Sequence, residues 1–579
     1  MLQRDNFPPS TKWSIIAIGT LAGLLMALPN GLDLHGRYWL YLPQLALAAA
    51  GILAFTLDRL SAVKPWLCAL LSLPFIALMT GWLRWNFPEM SSGEFHLQNS
   101  CAIVFLLSLT LPFLAAFCHA SAWKQDCASL SAFITATLWN NSFTFGVTAV
   151  MTGLFWLVLT LWSKLFSLIG ILLFEQLFFD NAFFPSMATG AVIAAGILFC
   201  RSLPGAAGMY RHLITLAVHV LLPLHAIISL LFLACLPFTG LAIIPESFSA
   251  ATLLLSMTLL MLAFSAIVGE KAPATSRWPR AMARLVLIAQ SLTPLLAALA
   301  GWALWLRIAE YGWTAERVYA VAIMLLALAG SLLLLGAQRR AWTQGAGNMD
   351  VVTVLLLALT ACGWFLLHTP VLDPWRISVK NQLARYQQGE AKADTGDLYN
   401  FSGAGRRGKA MLQTLQSHPQ WLKEPVEQQA MLIQLLAGQY ATQAKPGVSE
   451  LQRSIRLRAG SEAPPASWWQ SQAEYISHTL RTCLVDADAC LVWMQDLNND
   501  GAPEVLLYNR NLPGIVVYTR QDEAYARQRA EWREAGNVTL TPELDQAIRA
   551  AMPATVAKPW RDLEINGQRY PVQYYGLDH

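Results

Sequence analysis

The sequence predicts a polytopic α-helical membrane protein, with about 11 transmembrane helices and a C-terminal soluble α+β domain. Three observations lead there. Only 13% of the 579 residues are charged and 55% are hydrophobic, and the mean hydropathy is +0.41, whereas a water-soluble chain carries about 25% charged residues. The shortage is uneven: residues 1–368 hold about 31 charged side chains and the last 211 hold about 45. The first part is also divided into apolar runs of membrane-crossing length, about 17–25 residues at a 1.5 Å rise across a core of about 30 Å. The chain therefore divides into a membrane region, 1–368, and an extramembrane domain, 369–579.

The apolar runs lie near residues 13–28, 38–57, 65–83, 101–122, 143–163, 185–200, 213–235, 248–268, 284–306, 317–337 and 351–367. The first follows Arg4 and Lys12, a pattern that a secretory signal peptide shares. No clean small-x-small cleavage site follows it between Met26 and Asn30, and further spans come soon after, so it is expected to be an uncleaved first span. The first and sixth runs are short, and the stretch after Lys164 up to Phe184 is a further span or an interfacial helix. The expected number is thus eleven, with a margin of about one.

Lys and Arg in short loops are retained on the cytoplasmic side. With eleven spans, one set of loops holds Arg4, Lys12, Arg59, Lys64, Lys124, Arg201, Arg211, Lys271, Arg277, Arg280, Arg284, Arg339 and Arg340. The opposite set holds only Arg37, Arg84, Lys164, Arg307 and Arg317. This predicts a cytoplasmic N-terminus and a periplasmic C-terminal domain. Seven of the nine cysteines lie in or beside apolar runs, where they serve as small buried hydrophobes. Cys483 and Cys490 are the two in the C-terminal domain. Their closeness predicts a local disulfide, which suits an oxidising compartment; two separate thiols are the alternative.

In that domain, helical patterns over 381–388, 406–415 and 425–440 precede strand-like runs at 491–494, 505–508 and 515–518, and Ile565 to Gln568 is an Asn-Gly hairpin turn. Between two of the strand runs stand Asp496, Asn498, Asp500, Gly501 and Glu504. Oxygen side chains at alternate positions, a glycine for the sharp turn and a further carboxylate suit Ca²⁺, which takes oxygen ligands at about 2.3–2.6 Å. The twelfth position is Leu507 rather than Glu, which departs from an EF-hand and fits better a Ca²⁺-carrying β-hairpin loop. A metal-free Asp/Asn/Gly turn joining two strands is the competing reading.

Ionisable and polar residues inside spans default to functional candidates. Here these are Asn140 and Asn141 at the mouth of the fifth run, Glu175, and the pair His219 and His225. The histidines are six apart, not i and i+4, so a buried hydrogen-bonded role outweighs paired metal ligation. The sequence holds no Walker loop, GxSxG elbow or Rossmann fingerprint. The C-terminal domain has about 22 basic and 23 acidic residues without a basic stripe, which argues against nucleic acid as a partner.

Several stretches together resemble a bacterial inner-membrane family known as domain of unknown function 4153. They are Leu138 to Asn141, Gly153 to Trp156, Leu161 to Phe166, Glu310 to Tyr319, Leu372 to Ser378, and Gly403 to Arg406. The resemblance implies an inner-membrane location, a multi-span core and a C-terminal domain, and carries over no activity and no catalytic residue. The leading expectation is a non-enzymatic envelope protein for sensing, scaffolding or partner binding, with the lipid bilayer and an envelope protein as partners. The alternatives are a transporter or channel for a small solute, with the polar span residues along its path, and a membrane enzyme acting on a lipid-linked substrate. The sequence sets no oligomeric state.

Overall fold

The computed structural model describes residues 8–32, 36–88, 90–119, 126–168, 171–203, 205–239, 249–269, 278–344, 349–440, 447–474, 478–486, 488–497, 501–511, 514–520, 532–540, 544–551, 553–556, 562–565, 567–570 and 572–574. The chain forms two compact units. The first comprises Met1–Trp85 and Ser92–Gln382, the second Asn86–Ser91 and Leu383–His579.

The first unit is helical. Its long helices are α1 (Pro9–Gly31), α2 (Tyr41–Thr56), α3 (Val63–Asn86), α4 (Ser92–Cys118) and α5 (Cys127–Leu168). After the single turn α6 (Leu173–Glu175) come α7 (Phe184–Ser202), α8 (Ala206–Thr239) and α9 (Ala250–Val268). The series ends with α10 (Arg280–Tyr311), α11 (Ala315–Gln344) and α12 (Met349–Leu367). Among the described residues ten helices are long and apolar enough to cross a membrane, and α2, equally apolar, has 16 residues. The chain is therefore an integral membrane protein. Among the described residues the stretch after Lys164 forms no helix long enough to cross: α5 ends at Leu168, and α6 runs into one π-helical turn, Gln176–Asp180. Helix ends follow local chemistry. Gly269 closes α9 at φ +62°, and Gly312 closes α10 at φ +75°, a region only glycine enters without strain.

Hydrocarbon surrounds such helices as readily as they surround one another, so their association relies on close packing and interhelical hydrogen bonds. The tightest seam joins α1 to α7. A Cβ added at Gly19 would stand 2.6 Å from the Ala194 Cβ and the Gly190 O, one at Gly23 2.1 Å from the Ser186 O, and one at Gly190 2.2 Å from the Gly19 O. Small residues at four-residue spacing on both helices (Gly19, Gly23; Ser186, Gly190, Ala194) let the backbones meet. Elsewhere Arg201, its side chain 4% exposed, ties the end of α7 to that of α2 by donating to the Ala54 O at 2.6 Å and the Asp58 Oδ1 at 2.5 Å.

The second unit begins inside α13 (Pro374–Gln388) and continues through α14 (Thr395–Ser402), α15 (Gly405–Ser417) and α16 (Pro425–Tyr440). Asp394 and Asp397 cap α14 reciprocally, the side chain of each accepting the other's backbone N–H. Then come α17 (Val448–Ser454), α18 (Ala466–Glu474) and α19 (His478–Val485). The main sheet has the order β1-β2-β3-β4-β5-β9, with β1 (Arg456–Leu457) parallel to β2 (Cys490–Gln495). The other neighbours, β3 (Glu504–Asn509), β4 (Gly514–Arg520), β5 (Trp532–Thr539) and β9 (Gln573–Tyr574), are antiparallel. The strand-like runs of the sequence lie in β2, β3 and β4.

A strand alternates its side chains between two faces, and here both faces are covered. Val492, Val505, Leu507, Val516 and Tyr518 meet Leu451, Trp468, Trp469 and Leu480 from the helices. On the reverse, Trp493, Leu506, Tyr508, Ile515 and Val517 meet Ile548 of α20 (Asp545–Ala550) and Leu563. Leu563 belongs to a smaller sheet of β6 (Ala554–Val556), β7 (Asp562–Ile565) and β8 (Gln568–Tyr570), where Ile565 faces Gln568 across the expected hairpin.

The seam gives a direct expectation. Gly190→Ala, forced against the α1 backbone, should lower stability by about 1–3 kcal/mol. The same change at Gly336, whose added Cβ meets nothing within 4 Å, should be neutral or slightly stabilising because alanine favours helix. Thermal unfolding of the purified protein in one detergent compares the two.

Candidate functional site

The hairpin loop between β2 and β3 is the most chemically marked segment of the second unit. Its last ladder pair is Gln495 opposite Glu504. Glu504 is 5% exposed, and its Oε2 accepts the Leu497 N–H at 2.8 Å. Gly501, at φ +83°, donates its N–H to the Asp496 Oδ2 at 3.1 Å. The carboxylates at the two ends of the loop thus turn inward on its backbone. Asn498 and Asp500 lie outside the described residues. Among the described residues no group of three or more His, Cys, Asp or Glu side chains is placed to hold a metal ion.

The opposite end of the same strand pair is pinned by covalent and polar contacts. Cys483 of α19 is joined to Cys490, the first residue of β2, with Cα atoms 5.6 Å apart. Cys490 faces Asn509 in the ladder. The Asn509 side-chain amide donates to the Thr479 O at 3.0 Å and to the Thr482 Oγ1, so α19 sits over β2 and β3 through three tethers.

Two buried phenols are held by carboxylates. The Tyr386 OH donates to the Asp397 Oδ2 at 2.8 Å, and the Tyr508 OH to the Asp545 Oδ1 at 2.9 Å, with Arg549 donating to the same carboxylate. Burial, reinforced by the neighbouring carboxylate, pushes both phenols well above their ordinary value. Burial also raises the Glu534 carboxyl and lowers the Arg458 guanidinium, which lies 5.4 Å over the Trp493 ring.

Within the membrane unit the five polar candidates occupy separate settings. Asn141 is buried in α5 and Asn140 exposed beside it. Glu175 pairs with Lys164 at 2.7 Å, closing the turn after α5. The His219 Nδ1 is 2.9 Å from the Thr215 O in its own helix, and its ring lies beside Trp278. The His225 Nε2 is 2.9 Å from the Met257 O of α9, with the ring edge-on to Phe264. The two histidines therefore engage backbone carbonyls at different places.

Sequence reasoning passed over two other polar groupings. Gln290 of α10 donates to the Ser265 Oγ of α9 at 2.8 Å and accepts from Gln338 of α11 at 2.6 Å. At the start of α2 and α4, the fully buried Gln44 lies 3.2 Å from the His96 Nδ1 and accepts from Ser100, while Asn99 donates to the Thr80 Oγ1 at 2.9 Å. The signal was present as glutamine and asparagine within or at the rim of apolar runs. One of the family-like stretches, Glu310 to Tyr319, also meets α13. Asn381 accepts the Trp313 N–H at 2.9 Å, and Gln382 donates to the Tyr311 O at 2.9 Å, so the first turns of α13 clasp the α10–α11 corner. Asp373, 1% exposed, accepts the Trp375 N–H at 3.0 Å and starts that helix.

An integral membrane protein with these motifs in order can be assigned to a family. Residues 22–408 match the family described as Domain of unknown function (DUF4153), and the chain belongs to it. No curated protein and no solved structure matches the chain.

The buried phenols make a pH expectation. An acid whose pKa is raised by folding stabilises the fold fully below its unfolded value, about 10 for tyrosine, and this is lost as pH rises toward the folded value. Tyr508→Phe should remove a charge-assisted hydrogen bond of about 1.5–3 kcal/mol at pH 8 and flatten the fall in stability between about pH 9 and 11. Unfolding curves at several pH values, with phenolate absorbance followed in parallel, provide the check.

Proposed function

We propose that this chain is a bacterial inner-membrane binding protein whose helical bundle displays a periplasmic α+β domain to an envelope protein partner, and that it works without catalysing a reaction. The observation that carries this reading is the self-contained core of the second unit, a six-stranded sheet covered on both faces. Its polar pairs, Tyr386 with Asp397, Tyr508 with Asp545 and Asn509 with α19, support structure.

Connectivity supports the orientation. The loop Asn86–Ser91 belongs to the second unit, and eight long apolar helices, α4, α5 and α7 to α12, separate it from the remainder of that unit. An even number of crossings returns the chain to the side it left. Counting α2 as a crossing, the N-terminus lies on the opposite side, where the Lys and Arg of the short loops concentrate. The Cys483–Cys490 bond agrees with an oxidising compartment. Within this reading Asp496, Asn498, Asp500 and Glu504 hold Ca²⁺, which is abundant enough outside the cytoplasm for weak sites, with Kd of about 10⁻⁴–10⁻³ M.

Two experiments follow. Site-specific photocrosslinking in cells from exposed positions such as Tyr399 should yield one discrete adduct with an envelope protein, and periplasmic reporter activity should accompany a fusion after residue 579; a diffuse or absent adduct together with a cytoplasmic reporter sinks the proposal. For the loop, Ca²⁺ at about a hundred times Kd should stabilise the purified protein by about 2.7 kcal/mol, and Asp500→Ala should abolish the gain. An unchanged melting temperature in both proteins would leave the loop as a metal-free turn.

A further inference from the structure

An apolar crevice of about 470 Å³ is cut into the first unit between α2, α3, α4 and α12, a volume within the roughly 300–1,000 Å³ range of ligand pockets. Ile52, Leu107 and Ala361 line its interior, and Leu71, Phe75 and Phe117 stand at its rim with 58%, 56% and 40% of their surfaces exposed. The hydroxyls on its wall are committed to their own helices: Ser72 donates to the Ala69 O at 2.7 Å and Thr110 to the Leu106 O at 2.9 Å. The wall therefore offers little but hydrocarbon.

Its depth and its charged end define the occupant. On α4 the lining runs from Phe117 to Leu106, eleven residues or about 16 Å at 1.5 Å each, close to the roughly 15 Å of a single leaflet's hydrocarbon. On α3 it runs from Cys68 inward to Ile76, starting near the same end of the bundle. At that end Lys64 donates to the Phe117 O at 3.0 Å, with its ammonium 5.4 Å from the Phe117 ring centroid. Arg59 stands exposed in the adjoining turn, and Trp66 is 42% exposed beside it. A Lys, an Arg and a Trp around one mouth are the side chains that sit at headgroup level. The nearby Asp58 is already held by Arg201, so the local balance is cationic.

We propose that this crevice is a binding site for an anionic phospholipid of the surrounding leaflet, one acyl chain lying between α3, α4 and α12 and the phosphate meeting Lys64. The chain fills a slot that would otherwise leave its lining without packing partners, because lipid tails bend poorly into a narrow concavity unless one is held there. The ammonium adds a preference for negative headgroups. The site lies wholly within the membrane unit and is independent of the role assigned to the C-terminal domain.

The full-length protein is reconstituted into phosphatidylcholine vesicles doped with phosphatidylglycerol carrying a photoactivatable group midway along one acyl chain, irradiated, digested and mapped by mass spectrometry. Adducts should concentrate on crevice residues such as Leu71, Phe75 and Cys362, and label spread evenly over the lipid-facing perimeter, or absent from the crevice, overturns the proposal. Leu107→Trp, which fills the slot, should lower crevice labelling at least tenfold, and unchanged labelling in that variant also overturns it. Lys64→Gln should keep the chain site while reducing by about fivefold the preference for phosphatidylglycerol over a phosphatidylcholine probe, the effect of one basic residue at the membrane surface. An unchanged preference overturns the headgroup assignment. Since Leu107→Trp can disturb folding, size-exclusion behaviour and melting temperature are measured alongside, and Lys64→Gln, on a partly exposed side chain, tests the site without repacking the core.

Discussion

In a bilayer the solvent of a helix is as apolar as its neighbour, so the hydrophobic effect that assembles soluble proteins supplies little force for helix to seek helix. The membrane unit depends on the substitutes. Where α1 meets α7, Gly19, Gly23 and Gly190 bring backbone against backbone and turn dispersion into the adhesive. Where α9, α10 and α11 meet, the chain Ser265–Gln290–Gln338 links three helices through side chains that would be costly to leave unpaired in hydrocarbon. Where α2 and α7 end, one buried arginine takes both a helix carbonyl and a carboxylate. These devices explain how the bundle tolerates many exposed leucines and valines: those residues meet lipid, while small and polar residues hold the helices together.

The second unit is organised around a sheet. Its strands are buried on both faces, and each face is closed by a different partner, helices on one side and α20 with the small sheet on the other. Several polar groups inside it are paired rather than excluded. Asn509, fully buried, satisfies its amide on α19 beside the Cys483–Cys490 bond, which holds the same helix to the neighbouring strand. Tyr386 and Tyr508 place phenols on carboxylates across helix–helix and strand–helix junctions, respectively.

Much of this was legible in the sequence because composition reports the surrounding solvent. Each of the eleven apolar runs overlaps a helix for most of its length, and β2, β3 and β4 coincide with the strand-like runs. Helix ends were less visible. Helix α4 begins at Ser92 rather than near residue 101, because the polar stretch containing His96, Asn99 and Ser100 is satisfied by Gln44 and Thr80 from other helices and hydropathy alone counts it as loop. The glycine seam was written in the Gly19/Gly23 spacing, but its partner lies more than 160 residues away and is set by the fold. The candidate site was legible only in part. The Asp496–Glu504 spacing marks a turn, and Glu504 and Asp496 close it on its own backbone, while nothing near His225 in sequence announces the Met257 carbonyl it meets.

The family match covers most of the helical unit and only the start of the second unit. The match ends at residue 408, four residues into α15 and well before β1 at Arg456. It therefore takes in the bundle from the middle of α1 onward, the α10–α11 corner and the part of α13 that clasps it through Asn381 and Gln382. The sheet, its disulfide and the Asp496–Glu504 loop all fall beyond the matched residues. The matched residues thus include contacts that hold helix to helix, such as Gln290 with Ser265 and Gln338, which hydrocarbon cannot replace because it offers no hydrogen-bond partner.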